Sequence, residues 1–230
     1  MKQNESLAET RAVFVLFAQK PNKTEQSPEY GFFCGGFYGR INENSKNAEG
    51  GRSMTNAPKT VLAIHDLPGF GRAALSVIVP VLSTLGVQTV ALPTAVLSTH
   101  TGGLGTPAKL ANPGYGPVAL EHYHRLGVKF DCIYSGYLAD AAQAKLVEQA
   151  FELWPRAFKV VDPVLGDGGR LYSGLGADMV PAMYSLCSKA DLIVPNVTEA
   201  ALLLGDPLPG VGSAEQAAAQ AARLTRVAPQ

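Results

Sequence analysis

The 230-residue sequence has little cysteine, a single tryptophan, few charges and no excess of either sign. Cys34, Cys132 and Cys187 are odd in number, far apart and without Cys-x-x-Cys spacing. That argues against a disulfide scaffold or a cysteine zinc site, and fits a reducing, cytoplasmic setting. Nineteen Lys plus Arg balance nineteen Asp plus Glu, so the chain lacks the overall basic excess of a nucleic-acid binder. No apolar run approaches the roughly 18 residues that a membrane span needs, which leaves no membrane partner to expect. The early run from Ala12 to Ala18 is shorter still and has no small-residue cleavage site behind it. His65, His122 and His124 show no His-x-x-x-His spacing with a carboxylate partner, so zinc is not expected. What is present is a core-forming composition, 47% hydrophobic and 17% charged, which excludes wholesale disorder.

The texture of the chain changes near Ala57. Residues 1–56 mix polar residues with a Gly-Phe-Phe-Cys-Gly-Gly-Phe-Tyr-Gly-Arg stretch and hold no lasting period. They read as a poorly ordered leader, with an extra edge strand over Arg11–Ala18 as the alternative. Residues 57–230 then alternate short apolar runs with amphipathic stretches. Strands are expected at Val61–His65, Val87–Leu92, Phe130–Tyr134, Phe158–Val161 and Asp191–Val194. Helices are expected at Arg72–Leu85 (with Pro80 inside), Val118–Leu126, Ala139–Trp154, Gly176–Ala190 and Val197–Leu204, with a last one from Ser213 to about Arg226. Alternation of this kind predicts an α/β fold, a mostly parallel sheet with helices on both faces. Right-handed crossovers then put the carboxyl ends of the strands on one edge, where ligands bind.

The loops expected at that edge hold the residues with chemistry. Gly69, Gly71 and Ala74 fit a Gly-x-Gly-x-x-Ala dinucleotide fingerprint, yet no acid lies between Asp66 and Glu121 to hold a ribose, so a nicotinamide dehydrogenase is disfavoured. The same glycines let backbone approach a small flat ligand, with Asp66 at the strand tip to accept a hydrogen bond. A plain connecting turn is the alternative. His100, in Ser-Thr-His-Thr-Gly-Gly, reads equally as a ligand contact or a hydrogen-bonded loop residue. Tyr137, after Ser135-Gly136, can stack on an aromatic ring or simply cover the core rim. Asp162 and Asp167, five apart around Pro163 and Gly166, can position a divalent cation or a nucleotide phosphate. Asn196 and Glu199 fit either a helix-capping pair or a pair holding water around Mg²⁺.

Four segments then carry a resemblance: VLAIHDLPGFGRAALSVIVPVLSTLGVQTVALPTAVLSTHTGG, FDCIYSGYLAD, VVDPVLGDGGRLY and ADLIVPNVTEAALLLG. From about Thr60 to about Gly205, in order and spacing, they resemble the pyridoxal/pyridoxamine kinases of the ribokinase-like superfamily. The resemblance implies transfer of phosphate from ATP, with Mg²⁺, to the 5′-hydroxyl of pyridoxal, pyridoxine or pyridoxamine, for pyridoxal phosphate salvage. It implies that Asp66, His100, Thr101 and Tyr137 meet the vitamer. It further implies that Asp162, Asp167, Tyr172, Asn196 and Glu199 lie at the nucleotide, with Asp162 and Glu199 on the metal side. A homodimer is common in the family. The sister hydroxymethylpyrimidine kinases and a non-catalytic vitamer-binding protein are the alternatives.

The sequence departs from the family pattern at three places. Pro68 replaces a small hydroxyl residue, and Val194 replaces the Thr of Thr-Pro-Asn. The third is the Gly-x-Gly-Asp motif, whose Asp activates the substrate hydroxyl: Gly210-Val211-Gly212-Ser213 imitates it too soon after Glu199, and Ser213 is no carboxylate. The expectation is therefore a chain truncated at its C-terminal end, with no catalytic base and impaired transfer.

Overall fold

A computed structural model describes residues 58–101, 104–111, 113–172, 174–176, 178–208 and 214–225. The expected leader, the Gly210–Ser213 stretch and the end of the last helix lie outside the described residues.

The central strand β1 (Thr60–Phe70) is buried without interruption from Val61 to Asp66, as a strand covered on both faces must be. It pairs in parallel with β2 (Gln88–Thr99) on one side and β4 (Cys132–Ser135) on the other. Beyond β4 come β5 (Phe158–Val161) and β8 (Leu192–Ile193), also parallel; β3 (Lys109–Leu110) closes the other edge antiparallel to β2. The six-stranded order is β3-β2-β1-β4-β5-β8. A separate hairpin, β6 (Gly166–Asp167) with β7 (Arg170–Leu171), stands after β5.

The helices are α1 (Leu75–Thr84), α2 (Tyr115–Arg125), α3 (Ala141–Leu153), α4 (Met179–Cys187), α5 (Val197–Leu204) and α6 (Ala214–Leu224). Alternation along the strands divides the core. Leu62, Ile64, Leu92, Ile133 and Val161 face a large cluster with Leu120, Val147, Phe151 and Leu186 of α2, α3 and α4. Val61, Cys132 and Val160 face a smaller one with Leu82 and Leu85 around the end of α1. At the amino ends, Asp131 accepts hydrogen bonds from Lys59 Nζ and from Thr60 N, both at 2.9 Å, and so ties β4 to the start of β1.

Several lengths differ from expectation: α1 starts at Leu75 and not Arg72, α4 spans Met179–Cys187 and not Gly176–Ala190, and two strands are longer. β1 continues past His65 to Phe70, and β2 past Leu92 to Thr99, where a polar loop was expected from Pro93. Pro93 lacks the N–H a ladder needs, and proline inside a strand is tolerated at irregularities. Here the register slips: His65 faces Pro93 and Leu67 faces Val96, so Thr94 and Ala95 together oppose Asp66. Both strands resume beyond this bulge. A bulge re-aims a side chain, and this one falls on Asp66.

Candidate functional site

The polar side chains lie where the strands end. Asp66 sits in the bulge, 8% exposed, with its Oδ1 2.6 Å from Nδ1 of His65, itself 8% exposed. The His65 ring stacks near Tyr134 of β4, centroids 6.2 Å apart. On its other side it presses on Gly136, where a Cβ would stand 1.9 Å from His65 Cδ2. Only glycine leaves that space. The following Tyr137 is positioned from β2: Thr94 Oγ1 donates to the Tyr137 carbonyl at 3.0 Å. Gln143 of α3 reinforces this, donating from Nε2 to the Thr94 carbonyl at 2.8 Å and accepting from Ala139 N at 2.7 Å. Burial, then the nearby carboxylates of Asp66 and Asp140, push the Tyr137 hydroxyl above its ordinary pKa.

The second half of the site hangs on α5. Asn196 caps this helix, accepting from Glu199 N at 2.9 Å, while Glu199 Oε2 accepts from Asn196 N at 2.9 Å. The capping reading therefore holds. The same two side chains, with Thr198, also grip the loop after β5. Glu199 Oε1 accepts from Leu165 N at 3.1 Å, Asn196 Nδ2 donates to the Gly166 carbonyl at 2.8 Å, and Thr198 Oγ1 accepts from Gly169 N at 3.0 Å. The grip matters because Val164 has φ 35°, a left-handed conformation that a β-branched side chain strongly disfavours. Asp162, at the tip of β5, accepts from Tyr134 Oη at 3.1 Å.

Electrostatics connect the two halves. Glu199 is 3% exposed. Burial first, and the Asp162 carboxylate second, push its pKa up to about 8 against the backbone donors that favour its anion. Asp162 is raised too, chiefly by desolvation, with His65, Tyr134 and the Val164 N–H opposing the shift. Tyr172 is raised by burial and by Glu199, Asp167 and Asp162. Direct contacts thus link Asp66, His65, Tyr134 and Asp162, while Tyr137 feels Asp66, and Glu199 and Tyr172 feel Asp162, through electrostatics alone. Asp167 is exposed.

His100 and Thr101 lie beyond the paired ends of β1 and β2. His100 packs on Gly71 beyond the end of β1, where a Cβ on Gly71 would be 2.0 Å from its ring, and its N–H donates to the Phe70 carbonyl at 3.0 Å. Thr101 is exposed next to it. His65 and Tyr134 were missed as site residues. The only sequence signal for them is the Gly136 that accommodates the ring, and it is legible only once β1 and β4 are known to be neighbours.

The donor set was tested for a cation. Among the described residues no group of three His, Cys, Asp or Glu side chains is disposed to hold a metal. Two acids whose charges repel in a water-poor site still suit a hard divalent ion that keeps several of its own waters. Asp162 and Glu199 are the two acids there that could approach such an ion through its waters.

A mostly parallel sheet with helices and with polar side chains at the carboxyl ends of its strands is an α/β fold. Solved structures agree. A Bacteroides thetaiotaomicron protein provisionally assigned as a phosphomethylpyrimidine kinase, in a form with pyridoxal, superposes with TM-score 0.71 at 39% identity, covering 76% of this chain and 61% of that one. Pyridoxal kinase from Lactobacillus plantarum gives TM-score 0.68 at 38% identity, over 75% and 61%. Residues 122–229 match the family described as phosphomethylpyrimidine kinase. A Schizosaccharomyces pombe protein provisionally assigned as a pyridoxal kinase is 30% identical over 158 residues, 65% of this chain and 50% of its own length. The chain is thus similar to the pyridoxal and phosphomethylpyrimidine kinases over part of their length. It spans about half the length of the curated relatives it matches, 50% and 56%. No helix among the described residues is long and apolar enough to cross a membrane.

Proposed function

We propose that the chain carries the vitamer half and the cation half of a kinase site acting on pyridoxal, pyridoxine or pyridoxamine, with MgATP as phosphoryl donor. The observation that carries this reading is the contact from Asp66 through His65 and Tyr134 to Asp162, with Glu199 feeling the Asp162 charge. Asp66 offers a carboxylate to the polar edge of a heteroaromatic ring, and Tyr137 covers a face of it. Thr94 and Gln143 hold the Tyr137 loop in place. Asp162 and Glu199 would hold Mg²⁺ through water, with Asp167 and Tyr172 towards the nucleotide. Mg²⁺ supplies charge neutralisation for the phosphates. His100 and Thr101 would approach the vitamer only from the loop beyond β2. Support comes also from relatives that are named for pyridoxal or solved with it.

Coupled ADP release from MgATP tests the reading, with pyridoxal and hydroxymethylpyrimidine compared. Release that depends on pyridoxal supports it. Preference for the pyrimidine would favour the sister activity, and no release above the substrate-free rate with either compound would overturn the kinase reading.

A further inference from the structure

Asp66 meets the ligand in the reading above, but nothing there explains how a carboxylate on a bulged strand is kept in one orientation. The neighbouring histidine does so geometrically. His65 is clamped on three sides: by Gly136 beneath the Cδ2–Nε2 edge, by Tyr134 stacked beside it, and by Asp66 at Nδ1. The Asp66 backbone nitrogen also lies 2.9 Å from Nδ1, but a ring nitrogen that donates to Oδ1 has no lone pair with which to accept from it. A contact of 2.6 Å between Nδ1 and Oδ1 requires a proton between them. Oδ1 is thereby taken. Oδ2 accepts none of the hydrogen bonds found among the described residues, and it remains to accept one from a ligand.

We propose that His65 is a positioning residue that fixes the Asp66 carboxylate so that one oxygen is presented outward, selecting aromatic heterocycles that carry a hydrogen-bond donor on the ring edge. The inference rests on the vitamer reading above and deepens it. His65 does not touch the ligand; it acts through Asp66. A ring hydroxyl satisfies the outward oxygen, whereas a ring without one, whose neutral nitrogen only accepts, leaves it unpaired, which is the costly case for a buried acceptor.

The test is titration calorimetry of the full 230-residue chain with pyridoxine and with 3-deoxypyridoxine, together with near-ultraviolet spectra of bound pyridoxine. The variants are His65→Leu, which deletes the nitrogen, and His65→Asn, whose side-chain amide can replace Nδ1. His65→Leu is expected to weaken pyridoxine about tenfold, the value of one charge-assisted hydrogen bond, and the deoxy compound less. The spectrum of bound pyridoxine should shift, because its ring ionisation reports on the carboxylate beside it. His65→Asn should recover pyridoxine affinity to within about threefold of the parent chain. Equal affinities and spectra for the parent and His65→Leu would overturn the proposal. So would equal losses in both variants with both ligands accompanied by lowered melting temperatures, since that pattern marks a purely structural histidine. If the parent chain binds no vitamer at all, the functional reading itself fails, and the positioning role falls with it.

Discussion

At position 136 the His65 ring occupies the space of a side chain, with Nε2 2.1 Å from where a Cβ would be. Gly136→Ala must expel the ring or shift β4 against β1. We expect a loss of about 1–3 kcal/mol in a urea unfolding titration, as for overpacking elsewhere, together with weakened pyridoxine binding. Glu199 presents the opposite situation, a buried side chain whose removal leaves empty space and unpaired donors. Glu199→Ala strands the N–H groups of Leu165 and Asn196, and should destabilise by about 2–5 kcal/mol, more than Glu199→Gln, which keeps one acceptor. The acid also gives stability a pH dependence. Its folded pKa of about 8 lies above the ordinary 4.5, so the folded state keeps a proton that the unfolded chain releases. The contribution is full below about 4.5 and is lost as pH rises through about 8. The melting temperature without divalent cations should therefore fall across that window. Added Mg²⁺, which favours the charged form, should flatten the fall; an equal slope with and without Mg²⁺ would remove Glu199 from the metal side.

Elements differ in how openly they announce themselves. β5 and α5 were legible to the residue, because Phe158–Val161 is a short apolar run and Asn196 with Glu199 spells a capping box. β2 was not, because Pro93 reads locally as a stop, and only pairing with the extension of β1 from Leu67 to Phe70 carries the strand onward. The hairpin β6–β7 was equally hidden. Two-residue strands have no period, and theirs is held by Asn196 and Thr198, thirty and twenty-nine positions away. For the same reason the acids of the site were visible as strand-end carboxylates, while His65 and Tyr134 were not: their roles depend on which strands are neighbours. Pro80 was correctly placed inside a helix. It is exposed on α1 and removes a backbone bond to the Ser76 carbonyl. Pro80→Ala should raise stability by about 1–3 kcal/mol, read as an increase in melting temperature; no increase would mean that the proline favours the packing of α1 on β1.

Over the whole molecule, the sheet brings residues from positions 65 to 199 onto one edge. The account rests on that edge being a single site with a vitamer end and a phosphate end. Equilibrium dialysis of radiolabelled pyridoxal and of MgATP against the chain and its Asp66→Asn and Asp162→Asn variants tests this most directly. Asp66→Asn should weaken pyridoxal about tenfold and leave MgATP within about twofold, while Asp162→Asn should do the reverse. Pyridoxal binding that is absent, or indifferent to Asp66, would contradict the account.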